Sequence, residues 1–338
     1  MGGVNVADPT DPVYIGGLDR SGKTTMRAFL ASHPSIAIPS VGSNMWTYFY
    51  RRFGDLAREE NFERCLAAML RYKHVRFLDP DPDRIRAEFA AGQRSYARLF
   101  SLFLIHFAER EGKPRWGAQT GLIERYAPEM FDAYPGLKIV HMVRDPRDRY
   151  EASISKWPDG KLRAGGATAR FNYSIGLAER HVRNHPDGYL LVRFEDLIRD
   201  TETTLRAVCD FLGEEYRTEM LEMPAAPKMR SFLLEGGGSA GSLLSEAFVG
   251  GHRGRLPAPE LAFIQLHAGR GMRRHGYDTE PIPMDGRERL RFWVRDWPDQ
   301  LARMIAWRAV EWGQQTVPRV VPRRFGTRMI VDQPPGER

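Results

Sequence analysis

A chain of 338 residues with 42% hydrophobic content has the material for a sizeable buried core, which excludes wholesale disorder. Its formal net charge of +7, carried largely by arginine, favours anionic ligands such as phosphates, sulfates, acidic glycans or membrane surfaces, and no motif points to nucleic acid. The only cysteines, Cys65 and Cys209, lie far apart and outside any metal-ligand spacing, so a disulfide framework or zinc site is not expected and both read as small buried hydrophobes.

Residues 1–12, MGGVNVADPTDP, have neither a basic start nor an apolar core and read as a flexible lead-in rather than a secretory signal. The longest apolar stretch, LFSLFLIHFA at 99–108, is interrupted by Ser101 and His106 and is too short to cross a bilayer, so a cytoplasmic, reducing location is the default expectation. The first element is a strand at 13–16, VYIG, followed by a helix carrying Met26, Phe29 and Leu30 at helical spacing and ending near His33, because Pro34 disfavours continuation. From 44 to 110, aromatic and charged residues recur with helical period, and DPDPD at 79–83 marks a turn among several helices. Short apolar runs at 137–143 and 189–194 predict two more strands, buried on both faces as in a parallel sheet. Helices are predicted over 203–212, stopped by Gly213, and from Pro259 to just before Gly276. The expected fold class is therefore α/β: a central parallel sheet flanked by helices in a domain over 13–280, with a basic, Trp/Arg-rich helical extension over 281–338.

The most specific short motif is GGLDRSGKTTM, where Gly17, four residues, then Gly22, Lys23 and Thr24 match the GxxxxGK[ST] phosphate loop, set between a predicted strand and helix. Such a loop serves ATP or GTP when a strand-end acid elsewhere organises magnesium. Here the strand LKIVHMV runs instead into RDPRDRYEAS. Arg144, Arg147 and Arg149 make an anion site more readily than a metal site, and only Asp145 or Asp148 is available as a magnesium acid.

Taken together, DRSGKTTMRAFLASHPSIAIP at 19–39, VRDPRDRYEAS at 143–153, VRFEDL at 192–197 and GGHRGRLPAPEL at 250–261 resemble the sulfotransferases that use 3'-phosphoadenosine 5'-phosphosulfate (PAPS), over roughly residues 13–277. The resemblance implies a phosphate-loop α/β fold and transfer of a sulfuryl group to a hydroxyl or amine acceptor. Arg20, Ser21, Gly22, Lys23, Thr24 and Thr25 would surround the 5'-phosphosulfate, with Arg20 and Lys23 as the catalytic cations. Arg144 and Ser153 would hold the 3'-phosphate, Arg253 would add a clamp, and Phe194 would lie near the adenine, where many relatives have tyrosine. No metal is implied.

Some positions depart from the family pattern. Lys23 stands where threonine is usual, its ammonium expected to point at the 5'-phosphate, and Ser153 lies nine residues after Arg144, one more than is typical. In RWGAQTG at 115–121, similar to a family segment reading WGxKTP, Gln119 replaces the lysine and Gly121 the proline. The general base has no motif; Glu124, His74 and His106 are candidates, while His33 and His141 read as structural. Glu195 and Asp196 are expected to cap a helix starting near Ile198 or after Asp200. Trp293, Trp297, Trp307 and Trp312 make the extension amphipathic, expected to pack back on the domain, with peripheral membrane contact as the alternative. The acceptor, whether glycan, lipid, small molecule or peptide, has no recognition code. An ATP-dependent small-molecule kinase and a non-catalytic PAPS-binding protein, holding PAPS or its desulfonated product PAP, are the rival readings.

Overall fold

The computed structural model describes residues 11–156, 163–225 and 248–316. Five strands form one parallel sheet in the order β2-β3-β1-β4-β5: β1 (Val13–Gly17), β2 (Ile36–Ala37), β3 (Arg115–Gln119), β4 (Lys138–Val143) and β5 (Tyr189–Arg193). β1 is central, pairing through Tyr14 with Ala118 of β3 and with Ile139 of β4. Its side chains alternate between two buried layers, which is why the strand is apolar throughout. Val13 and Ile15 join Phe29, Val140, Leu197 and Leu205 on one face. Tyr14 joins Trp46, Phe100, Trp116 and Ile139 on the other.

The three strands expected from the sequence are present, whereas β2 and β3 went unrecognised. β2 has only two residues, and β3 reads RWGAQ, with a charge at its start and glycine at its centre. Arg115 is tolerated there because its guanidinium donates to the carbonyls of Asp11 (2.9 Å) and Leu212 (2.7 Å) and pairs with Glu214 (3.0 Å). The helix after β1, α1, spans Lys23–Ala31. The expected helices between 44 and 110 are α2 (Met45–Tyr48), α3 (Glu59–Leu70), α4 (Lys73–Arg76), α5 (Pro82–Ala90) and α6 (Tyr96–Arg110). In the DPDPD turn, Asp81 accepts from the backbone N–H of Asp83 and Arg84 and caps α5. A single 3₁₀ turn, Ile123–Arg125, and α7 (Ala127–Ala133) follow β3.

Beyond β4 come α8 (Pro146–Lys156), α9 (Ala164–Asn184), and, directly after β5, α10 (Phe194–Arg199) and α11 (Thr201–Leu212). Here the expected capping is corrected. Glu195 and Asp196 lie inside α10, and the next helix is capped by Asp200, whose carboxylate accepts from the Thr203 N–H. The Glu195 carboxylate is instead buried, accepting from the Asp145 N–H (2.9 Å) and the Tyr277 hydroxyl (2.9 Å).

α12 (Ala258–Arg274) runs against α9, and the extension forms α13 (Gly286–Arg291), a π turn at Phe292–Asp296 and α14 (Trp297–Thr316). The extension packs back on the domain. Phe292 enters a core cluster with Tyr150, Phe171 and Phe263, and the Gly165 N–H of α9 donates to Gln300 of α14. The lead-in over 1–10 and the tail beyond 316 lie outside the described residues.

Candidate active site

All five strands point their C-terminal ends the same way, and the crevice outside those ends is where open parallel sheets bind ligands. β1 ends in the phosphate loop, which two glycines make possible. Gly17 (φ 108°) lies so close to β4 that a Cβ would come within 2.3 Å of the Met142 carbonyl oxygen. Gly22 (φ 91°) would place one 2.2 Å from the Phe194 ring. Both are left-handed conformations costly to other residues. Gly22 is the N-cap of α1 and supplies no side-chain cap, so the first-turn N–H groups, including those of Lys23, Thr24 and Thr25, converge on an anion position. Ser21 is buried, its hydroxyl donating to the Leu18 carbonyl (2.7 Å) and fixing the turn. Arg20, itself left-handed (φ 68°), is exposed at the tip.

Lys23 does not point where the sequence suggested. Its ammonium is buried, donates to the Gly17 carbonyl (2.8 Å) and lies 3.6 Å from Asp19. Burial lowers its pKa, while Asp19 and the fully buried Glu124 oppose that shift. Asp19 in turn is held well below the usual carboxylate range, chiefly by Lys23. The space for this arrangement comes from Gly121, where a Cβ would lie 3.3 Å from the ammonium. A larger residue there, such as the family's proline, would crowd the lysine.

β4 delivers Arg144 beside the loop. Its guanidinium donates to the carbonyls of Arg20 (3.0 Å) and Phe248 (2.6 Å) and stacks over the Phe194 ring, 4.7 Å from the centroid. Its Nε is buried without a hydrogen-bond partner, and burial lowers its pKa. Arg144, Phe194, Gly22 and Arg20 thus form one contact group from three strand ends. Ser153 does not join it: two turns along α8, its hydroxyl is buried and donates back to the Arg149 carbonyl (2.8 Å). Arg149 is also buried, its pKa pushed down to about 9 by desolvation.

The two acids a kinase would need are engaged elsewhere. Asp145 forms a fork with Arg147, at 2.7 Å to Nη2 and 3.0 Å to Nε. Asp148 accepts from the backbone N–H groups of Gly250 (2.7 Å) and His252 (3.0 Å) and from the His252 ring, tying the loop that carries Phe248 and Arg253 to α8. Arg253 is largely exposed on the wall of a cavity of about 460 Å3 shared with Arg147 and Arg193. His252 went unremarked in the sequence because a histidine beside arginines carries no local signature. It is buried between Asp148 and Glu280 (3.0 Å).

On the opposite side of β1, the end of β3 places Gln119 Nε2 3.5 Å from the Thr24 hydroxyl. The Gln119 carbonyl accepts from the Ser43 N–H (3.1 Å), joining the 42–44 turn to the site. His74 enters through this turn: its Nδ1 lies 2.7 Å from the Gly42 carbonyl and 3.0 Å from the Tyr72 hydroxyl. A carbonyl only accepts, so Nδ1 carries the proton and Nε2 the lone pair. The other two base candidates are committed elsewhere. His106 bonds Glu88 (3.0 Å) between α5 and α6. Glu124 is fully buried beneath the loop, accepting from the Ser174 hydroxyl. His141 is structural, as expected: it bonds the Tyr189 hydroxyl (2.8 Å), and burial pushes its pKa down to about 4.

The loop after β1, the Arg144 guanidinium and the Phe194 ring thus meet at the C-terminal edge of a parallel α/β sheet. Residues 12–218 match the model of the sulfotransferase family, and the chain belongs to that family. Among curated proteins it is similar to sulfotransferase 2A1 of Rattus norvegicus, 27% identical over 99 residues that cover 25% of this chain and 35% of that protein. It is also similar to the 3-alpha-hydroxysteroid sulfotransferase of Cavia porcellus, 24% identical over 125 residues, 33% and 44% of the two chains. The chain thus matches only about a third to under a half of the length of these relatives. Among solved structures, the sulfotransferase domain of the Synechococcus PCC 7002 olefin synthase aligns over 80% of this chain and 96% of its own, with TM-score 0.53 and 20% identity. The sulfotransferase domain from the curacin biosynthetic pathway aligns over 80% and 99%, with TM-score 0.50 and 16% identity. These two establish the shared fold.

Proposed function

We propose that the protein transfers a sulfuryl group from PAPS to a hydroxyl or amine acceptor. The observation that carries this reading is the pairing of two anion sites at adjacent strand ends: the N-terminus of α1 and the Arg144 guanidinium stacked on Phe194. A donor bearing a 5'-phosphosulfate and a separate 3'-phosphate fits such a pair, whereas ADP or ATP leaves the second site unused. The buried, unpartnered Arg144 Nε and the bare N-cap at Gly22 are consistent with an anionic occupant.

The donor supplies an activated sulfuryl group. Around it, the α1 N–H groups would hold the 5'-phosphate end, Arg144 and the exposed Arg253 the 3'-phosphate, and the Phe194 face the adenine. Arg20 is the cation free to meet charge developing on the phosphate oxygen as the S–O bond breaks. Lys23 acts indirectly, bracing the loop through the Gly17 carbonyl and Asp19. His74 is the proposed base: burial lowers its pKa, so Nε2 is unprotonated at neutral pH and can take the acceptor's proton as its oxygen or nitrogen bonds to sulfur. This reading includes a cytoplasmic location, consistent with two buried, free cysteines.

Calorimetry with PAP, the desulfonated donor product, tests the proposal. PAP is expected to bind without magnesium and at least about 100-fold more tightly than ADP, with Arg144→Ala removing most of that preference. Equal affinity for PAP and ADP, or tight binding only of magnesium–ATP, would overturn it.

The exposed Trp293, Val294, Ile305 and Trp312 favour a secondary role for the extension as a peripheral membrane contact. No helix among the described residues is long and apolar enough to span a membrane. Co-sedimentation with anionic liposomes, reduced by Trp293→Ser and Trp312→Ser, is expected; no pelleting of the wild-type chain would exclude this role.

A further inference from the structure

Between α2, the Ile123–Arg125 turn and the end of α14 lies a cavity of about 220 Å3 whose walls include Thr47, Tyr50, Arg51, Arg52, Arg125 and Tyr126. We propose that this cavity is the acceptor subsite and that it takes a hydroxy compound carrying a carboxylate or another anionic group. The inference rests on the sulfuryl-transfer reading above and names the substrate class of that same site.

Its position follows from a short chain of contacts. The Thr47 hydroxyl on the cavity wall donates to the Gly121 carbonyl (3.3 Å), and Gly121 lies against the Lys23 ammonium. Arg125 is the neighbour of Glu124, whose charge acts on Lys23. Gly121 and Arg125 follow β3, whereas Arg144 follows β4, and β1 lies between the two strands. The cavity is therefore on the side of the phosphate loop opposite the 3'-phosphate site, where an acceptor has to approach.

The ligand chemistry follows from the lining. Among the lining residues three guanidinium groups stand with one carboxylate, Glu129, which lies 3.8 Å from Arg51, and a second carboxylate, Glu311, backs Arg125 from α14. Arg125 is nine-tenths buried, paired with Glu311 of α14, and its Nε has no hydrogen-bond partner. Arg51 rides over the Tyr50 ring (5.0 Å), and Tyr50 meets Tyr126 edge-on (5.9 Å), so an aromatic wall adjoins the cations. Arg52 also lines an adjoining groove with Arg58 and Arg64, extending the positive field outward and favouring capture of anions. The remaining wall, including Gln314 and Gln315, comes from α14, beyond the stretch that matches the family. Acceptor choice is thus built partly by the extension.

Matched acids and amides test this directly: 4-hydroxyphenylacetate against 4-hydroxyphenylacetamide, and 3-hydroxybutyrate against 3-hydroxybutyramide. Each is titrated by calorimetry into the full chain, with and without saturating PAP. At least one acid is expected to bind about tenfold more tightly than its amide. Arg51→Gln and Arg52→Gln should each erode that preference about fivefold with PAP affinity unchanged, and Glu129→Gln should strengthen acid binding. Arg51 is exposed, so its replacement does not endanger the fold. Acids and amides binding equally, no acid binding at all, or a preference that survives both arginine changes would overturn the inference. Acid selection in a chain that fails to bind PAP would instead sink the donor reading and keep the anion site.

Discussion

The proposed donor and acceptor sides of the crevice are assembled by different means. On the donor side, backbone geometry does most of the positioning: Gly17, Gly22 and the first turn of α1 form one continuous stretch, and Arg144 and Phe194 follow directly from strand ends. On the acceptor side, side chains from the 47–52 segment, the stretch 125–129 after β3 and α14 meet without any shared local motif. The family match, 12–218, takes in the first of these sides up to Phe194 and all of the second except α14. A phosphate has one charge pattern and tolerates few backbone solutions, whereas an acceptor pocket can be walled by whatever segments pack there.

The sharpest break in this contrast is Gly22→Ala. The left-handed φ and the Phe194 ring leave no room for a Cβ, so PAP binding should fall by more than about 100-fold, measured by calorimetry, while acid binding at the Arg51–Arg52 cavity persists. Loss of both together would mean that the two sides are not separable. His74→Gln is the converse change. kcat should fall about 100-fold with PAP affinity intact, and the acid limb of the pH profile, set by a histidine below its ordinary value, should disappear.

Lys23→Thr acts on stability more than chemistry. It removes the buried hydrogen bond to the Gly17 carbonyl and the ammonium beside half-exposed Asp19, which retains Arg170 (3.4 Å). The expected cost is about 1–2 kcal/mol, read as a lower midpoint in urea, with sulfuryl transfer preserved below the transition. Abolished turnover in a folded Lys23→Thr chain would return the lysine to the chemistry.

The smallest effect is a pH dependence of the donor-side loop. Burial alone would lower the His252 pKa, but the hydrogen bond and charge of Asp148, the charge of Asp145 and the hydrogen bond to Glu280 outweigh it and raise the value; Arg147 and Arg253 face the same carboxylate, Glu280. A raised histidine stabilises the fold fully below its ordinary value near about 6.5 and loses that contribution as pH rises through the raised one. PAP affinity should therefore decline a few-fold from pH 6 to 9, and His252→Gln should flatten that slope. An unchanged slope would separate His252 from the loop.

Much of the proposed donor side is local in the sequence: its residues lie in a few short segments. The glycine spacing, the apolar strands buried on both faces and the arginine after β4 each leave a mark in a short window. Even so, Ser153 and Lys23 were assigned directions that only the surrounding packing decides. A serine in a helix can bond its own preceding turn, and a buried lysine follows the nearest carbonyl and carboxylate. β3 escaped notice because its charged first residue is neutralised by groups more than 95 positions away and close by only in the folded chain.

The sequence by itself determined the parallel α/β class and showed the glycine spacing between β1 and α1 and the arginine after β4, since each leaves its mark in periodicity or in residues that only one backbone conformation accepts. Tertiary structure alone decided that Gly121 makes room for Lys23, that His252 is clasped between Asp148 and Glu280, that His74 is tied to the 42–44 turn through the Gly42 carbonyl, and that α14 walls an arginine-lined cavity. Those arrangements join residues tens to hundreds of positions apart, and their electrostatics exist only once the groups share a buried, low-dielectric neighbourhood.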